Sequence, residues 1–389
     1  MAALPAVAIL PSEMGFIKIV GINGDVVAEL PFNPKQTIAA IKRFLWHRGC
    51  GSPFHQDIVP THSIEAPLPP RASLSACGIT PGSVLMLVRS RRSLFMSCSF
   101  DRSIRIWSLD ASEKLSSDVV AQDSLQAPMV VSADLDSLRM LVGYNGGSLK
   151  LLDAQTGHCI EHYEGHSATV TCLSVDWAQG KAVTGSWDCI LALWEFGSPF
   201  PVRLMFGHSK EILWLSVSWA LERAGSVSTD GSFRIWDLVL GICLQEFHDA
   251  GHTGILTVEI DVDFSQAVTG SEAGILRVWD LPGGVCKGLL VGHSRAIWSV
   301  AADWDSKSCI SCSADASLRL WDLRTCCTLR VFEEHRSCVW KIAVDWSRNL
   351  ILSASHDQTL KLWSLEDGTC IRTFEGHDHS VIHVGFLTA

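Results

Sequence analysis

No stretch of this 389-residue chain reaches the roughly 18 consecutive apolar residues that a membrane-spanning helix needs. The start, MAALPAVAILP, has no basic segment ahead of its apolar residues and meets Pro11 and Glu13 early, so no secretory signal is expected. Catalytic signatures are missing as well: there is no glycine loop to cradle a phosphate, no HExxH pair and no nucleophile elbow. Positive charge is scarce where most of the chain lies. Up to Ser93 there are 9 Lys and Arg against 5 Asp and Glu, but the remainder holds 22 against 36. That balance argues against gripping the phosphates of a nucleic acid. These gaps lead us to expect a soluble protein that is not an enzyme, with no metal, no cofactor, no membrane span and no nucleic-acid partner.

What is present suits a packed core: 47% of the residues are hydrophobic and 19% charged. Several of the 14 cysteines occupy one recurring slot shortly after a turn: Cys159, Cys243, Cys286, Cys326 or Cys327, and Cys370. A repeated slot indicates repeated packing rather than a disulfide framework, and reduced thiols suit the cytosol or nucleus. Cys309 and Cys312 form a CxxC, but residues three apart in a strand point to opposite faces and do not readily share a metal.

The strongest signal is a period. Trp107, Trp194, Trp236, Trp279, Trp321 and Trp363 recur along the chain with Leu152 filling the one gap, at steps of 45, 42, 42, 43, 42 and 42 residues. Before each lies a short apolar strand, a polar turn and an alternating strand, as in AVTGSWDCILALWEF and CISCSADASLRLWDL. His166, His208, His293 and His335 each stand 28 residues ahead of their Trp. These seven ordered copies resemble the WD40 repeat over residues 94 to 389, which implies an all-β propeller of seven four-stranded blades.

In that family a His, a Ser or Thr, a turn Asp and the Trp form a hydrogen-bonded chain within each blade. The matching residues are His166, Thr184, Asp188 and Trp194; His208, Ser226, Asp230 and Trp236; His293, Ser311, Asp315 and Trp321; and His335, Ser353, Asp357 and Trp363. A buried Asp and His must pair or bear a large desolvation cost, so this recurrent grouping is structural and not a catalytic triad. The first copy lacks an inner strand and the last Trp is followed by one, residues 380–387. The two ends should therefore complete one blade, with His377 joining Ser97, Asp101 and Trp107. Two copies depart: the second has neither His nor turn Asp, and the fifth has Ala273 in place of the Asp. Trp177, Trp304 and Trp346, with Trp219 and Phe264 in kindred places, are expected to pack between blades at the lower rim.

Ahead of the repeats, GFIKIVGINGDVVAELPF reads as two strands joined at Asn23-Gly24-Asp25. TIAAIKRFLWHRG reads as a helix with Ile38, Ile41, Leu45 and Trp46 on one side and Gly49 as its stop, and SVLMLVRS as a final strand. This order, with TIAAIKRFL, QDIVP and LSACGITPGSVLMLVRS at matching places, resembles ubiquitin-like domains of β-grasp fold over residues 15 to 90. The resemblance places a partner-binding apolar patch at Ile22, Val59 and Val88. The expected organisation is a flexible N-terminus (1–14), a ubiquitin-like α+β domain (15–90), a basic linker (91–93) and an all-β propeller (94–389). Because the chain runs on through Arg89, Arg91 and Arg92 without a terminal Gly-Gly, the small domain would serve as a docking module.

The WD40 resemblance assigns the upper face to the residue before each turn Asp and the one five after each loop His. Phe100, Trp187, Trp298, Trp340 and His356 are the candidate protein-binding residues, since aromatics concentrate at binding hot spots. One copy also ends in Arg: Asp315, Trp321, Asp322 and Arg324 match the box by which some WD40 proteins dock on a cullin-RING ligase adaptor. An exposed guanidinium there could bind a carboxylate in bidentate fashion. The expectation is a scaffold binding proteins or peptides on its upper face, with the ubiquitin-like module second, and monomeric outside its complexes. The alternatives are a cullin-RING substrate receptor, with ligase components as partners, and a G-protein-β-like subunit, whose usual N-terminal coiled coil is here replaced by the β-grasp domain.

Overall fold

The computed structural model describes residues 16–21, 25–48, 50, 56–61, 68–69, 72–89, 93–109, 118–248 and 253–387. They fall into two compact units that meet between Arg92 and Ser93. The expected N-terminus 1–14 and the linker residues 91 and 92 lie outside the described residues.

The first unit has strands β1 (Phe16–Val20), β2 (Val26–Pro31), β3 (Gln56–Pro60) and β4 (Val84–Arg89) and one helix, α1 (Ile38–His47). The sheet order is β2-β1-β4-β3. The middle pair is parallel and the outer pairs are antiparallel, which is the β-grasp arrangement. A parallel pair needs a long crossover, and α1 lies on it. Thr37 caps α1 by accepting the Ala40 N–H at 3.3 Å, and Ile38, Ile41 and Leu45 are fully buried against Ile17, Ile19, Ile58 and Leu85. Trp46 is off this stripe; it is partly exposed, its ring 4.6 Å from that of His47. A helix turns 100° per residue, so Leu45 and Trp46 cannot both face the core squarely.

The second unit holds seven four-stranded antiparallel sheets. We number the blades by repeat copy. Their inner strands are Val381–Leu387 (blade 1), Pro128–Asp134 (blade 2), Val170–Asp176 (blade 3), Ile212–Ser218 (blade 4), Ile255–Ile260 (blade 5), Ile297–Asp303 (blade 6) and Val339–Asp345 (blade 7). Each inner strand touches the next, and that of blade 1 touches that of blade 2, so the ring closes. Closure comes from pairing the two ends of the propeller sequence: Val384 lies opposite Ser97 and Leu387 opposite Leu94. A closed ring leaves no inner sheet edge open to association.

Blades pack through apolar layers. A Cβ added at Gly185 would lie 2.8 Å from Ile212 Cγ2, and one at Gly270 2.8 Å from Ile297 Cγ2, so glycine there lets the next inner strand approach. Trp219, Trp304 and Trp346 pack against the clusters between neighbouring blades, and Trp219 Nε1 donates to Ser174 Oγ of blade 3 at 3.2 Å. Cys309 and Cys312 belong to different clusters on opposite faces of their strand. All 14 cysteines are free thiols.

Candidate functional site

Five blades carry the full side-chain chain. In blade 4, His208 Nε2 is 2.8 Å from Ser226 Oγ, His208 Nδ1 is 3.1 Å from Asp230, and Trp236 Nε1 donates to Ser226 Oγ at 2.8 Å. The same contacts join His166, Thr184, Asp188 and Trp194, His293, Ser311, Asp315 and Trp321, and His335, Ser353, Asp357 and Trp363. Blade 1 forms its set across the whole propeller: His377 is 2.7 Å from Ser97 Oγ and 2.6 Å from Asp101, and Trp107 donates to Ser97 at 2.8 Å. The hydroxyl accepts from the indole, so its own hydrogen goes to His Nε2, and His Nδ1–H donates to the carboxylate. Every group is consumed by this chain and the imidazoles are buried; none is left to attack a substrate. Among the described residues blade 5 shows the Trp279 bond to Thr269 Oγ1, at 2.8 Å, and Ala273 stands in the place of the turn Asp.

The antiparallel meander puts the turns before each third strand, and the loops before each inner strand, on one face. On this face a cavity of about 1120 Å³ opens. Phe100, Trp187, Trp298 and Trp340 all line it, as do Thr171, Leu213, Thr229 and Ile382. Trp187 is 48% exposed and Phe100 38%. Trp298 and Trp340 are half-buried and pack on each other inside the mouth, ring centroids 4.6 Å apart. His356 stands outside the cavity lining: its Nδ1 is 2.5 Å from Ser380 Oγ of blade 1, which ties it to the rim.

Sequence reasoning missed the floor. Trp214 of blade 4 and Lys341 of blade 7, three blades apart on the ring, meet across the channel with Lys341 Nζ 3.1 Å from the indole centroid, a cation–π contact. Glu259 of blade 5 and His383 of blade 1 stand nearby. Removal from water pushes Lys341 down to about 7 despite the opposing charge of Glu259. The same burial raises Glu259 to about 7, with Lys341 pulling the other way, and lowers His383 to about 3. The available signal was a charged residue inside an otherwise apolar inner strand, VEI and WKIAV. Exposed Glu211 and Glu272 stand at the rim on blades 4 and 5, Glu211 Oε2 accepting from Thr229 Oγ1 at 2.6 Å.

The Arg-ending box is largely interior. Asp315 and Trp321 are spent in the blade's own hydrogen-bond chain, Leu318 is fully buried and Leu323 packs on the interblade cluster. Asp322 Oδ1 accepts the backbone N–H of Arg324 at 2.7 Å, leaving the exposed Arg324 side chain at the face opposite the cavity. The small domain requires a correction: Val59 is only 5% exposed, because Gln56 to Val59 are buried on both faces of β3, so Val59 offers no docking surface. Ile22 and the side chain of Val88 lie outside the described residues.

A seven-bladed ring with an aromatic-lined mouth and its polar interior used for scaffolding defines an interaction propeller. Residues 83–108, 157–195, 241–280, 284–322 and 326–364 match the WD domain, G-beta repeat. The protein is a WD40 β-propeller preceded by a small α+β domain. The intervening stretches, which hold most of blades 2 and 4, form the same four-stranded sheet. WD40 domains bind other proteins and generally serve as scaffolds without enzymatic activity. Among the described residues no helix is long and apolar enough to cross a membrane.

Proposed function

We propose that this protein is an interaction scaffold that seats partner proteins in the upper mouth of its propeller, with the ubiquitin-like unit as a second docking module. The observation that carries the reading is the convergence of Phe100, Trp187, Trp298 and Trp340 on one cavity. Exposed aromatics there are not needed for the core, and such side chains dominate binding energy where they can be desolvated. Trp187→Ala, at a 48% exposed position, should leave the melting temperature within a few degrees and weaken partner binding by roughly 2 kcal/mol, about thirtyfold. Affinity purification of the full chain from cells, wild type beside Trp187→Ala, measures this. Equal recovery of every partner by both baits would remove the upper face from the account.

A second reading rests on Arg324. Its guanidinium makes no ion pair or hydrogen bond with a described residue, and it could grip a carboxylate on a cullin-RING ligase adaptor. In the same purification, Arg324→Ala should strip ligase components while sparing partners held at the mouth. If no ligase component is recovered, or the variant keeps them, the receptor role fails and Arg324 is a solvated side chain.

A further inference from the structure

The cavity is polarised. Its rim charges are Lys210 and Glu211 on blade 4 and Glu272 on blade 5, whereas deeper in the mouth blades 6 and 7 bring indole N–H donors without good acceptors and blade 1 an unpaired imidazole nitrogen. The indole N–H of Trp340 and Nδ1 of His383 have no hydrogen-bond partner among the described residues. That of Trp298 faces only the Cys338 sulfur, a weak acceptor. Beside them Lys341 has the Trp214 ring as its close contact and forms no ion pair within 4.0 Å with a described residue. Buried donors left without acceptors are costly, and an ammonium with donors around it is best satisfied by a carboxylate, which accepts several charge-assisted bonds at once.

We propose that the donor side of the mouth, Lys341 with Trp298 and Trp340, is a socket for the carboxylate of a partner's Asp or Glu side chain carried on an apolar segment. The occupant follows from charge complementarity at the floor and from the apolar collar of Leu213, Leu256 and Ile382 above it. The socket deepens the reading of the upper face as the docking surface and rests on it. The cross-channel contact of Lys341 with Trp214 closes the floor, so the acid enters from above.

The groups around Lys341 fix how such binding depends on pH. Blade 5 presents Glu259, blade 1 His383, blade 3 Cys172 and blade 6 Cys312. Burial keeps both thiols protonated and lowers His383 far enough to leave it neutral. As pH rises through 7, Lys341 loses its proton and Glu259 gains charge. Both changes disfavour an incoming carboxylate, so affinity for an acidic segment should fall between pH 6 and pH 8.5.

The test uses acetylated hexapeptide libraries, each with one fixed position set to Glu, Gln or Lys and apolar mixtures elsewhere, titrated against the full chain at pH 6.5. We expect a Glu preference of about tenfold over Gln at one position, lost in Lys341→Met and kept in Glu259→Gln, with thermal midpoints of both variants near wild type. Preference for Lys would assign the mouth to basic segments through Glu211 and Glu272 and overturn the socket. So would a Glu preference that survives Lys341→Met, or one that does not weaken by pH 8.5. Peptides that bind with sensitivity to Trp187→Ala but no acid preference would sink the socket and leave the upper-face reading intact. If no library binds, the socket fails, and the cell purification decides the broader reading.

Discussion

Removing residues 377–389 should abolish cooperative folding of the propeller. The deletion takes away the whole inner strand of blade 1, whose pairing with Leu94–Ser99 joins the two ends of the propeller sequence. It also takes away His377, leaving Ser97, Asp101 and Trp107 without the ring that links them. One sheet edge opens, the strand Leu94–Ser99, the face of blade 7 is uncovered, and the cluster that holds Phe95, Phe374, Val381 and Val384 loses the two valines. Urea unfolding followed by circular dichroism, with size-exclusion chromatography, should show no sigmoidal transition and extensive association. His377→Ala isolates the polar share: with the strand retained, we expect a loss of roughly 3 kcal/mol from the unpaired buried groups. A truncated chain that unfolds cooperatively and elutes as a compact monomer would show that ring closure does not hold this fold together.

Stability should also collapse in acid, through five carboxyl groups acting together. Burial alone would raise Asp101, Asp188, Asp230, Asp315 and Asp357. Hydrogen bonds from their His partners and from neighbouring hydroxyl or backbone donors outweigh it and hold all five below the usual carboxylate range. A carboxyl whose pKa is depressed on folding favours the folded state while ionised. That contribution is fully present above the unfolded value of about 3.9 and is lost as pH falls through it toward the folded values. The urea midpoint should thus fall steeply between about pH 4 and pH 2. Asp230→Asn should lower stability at pH 7 and flatten part of that acid slope. A midpoint constant from pH 5 down to pH 2.5 would contradict the account.

Much of this was legible in the chain because the repeat writes the same geometry several times. The fixed interval of ten residues between Ser97 and Trp107, or Thr184 and Trp194, fits two antiparallel strands around a tight turn, and it places indole against hydroxyl in five blades and in blade 5. The upper-face aromatics were legible for the same reason: a register position in one blade is the same place in all. Other features broke the rule of local reading. Trp46 looked like core from its neighbours, yet helical rotation sets it aside. Val59 resembled a patch residue by position, yet its strand is covered on both faces.

By itself the sequence determined the number of blades, the polar chain in five of them, and the pairing of the two ends, since these depend on intervals along the chain and on groups that cannot be buried alone. Tertiary structure alone decided the floor of the mouth. Trp214, Glu259, Lys341 and His383 come from four blades and share no motif, and they meet only because closing seven strands around an axis brings distant residues within a few ångströms. The same closure takes Lys341 and Glu259 out of water, and that shift in their charge follows from the assembled channel and not from any stretch of sequence.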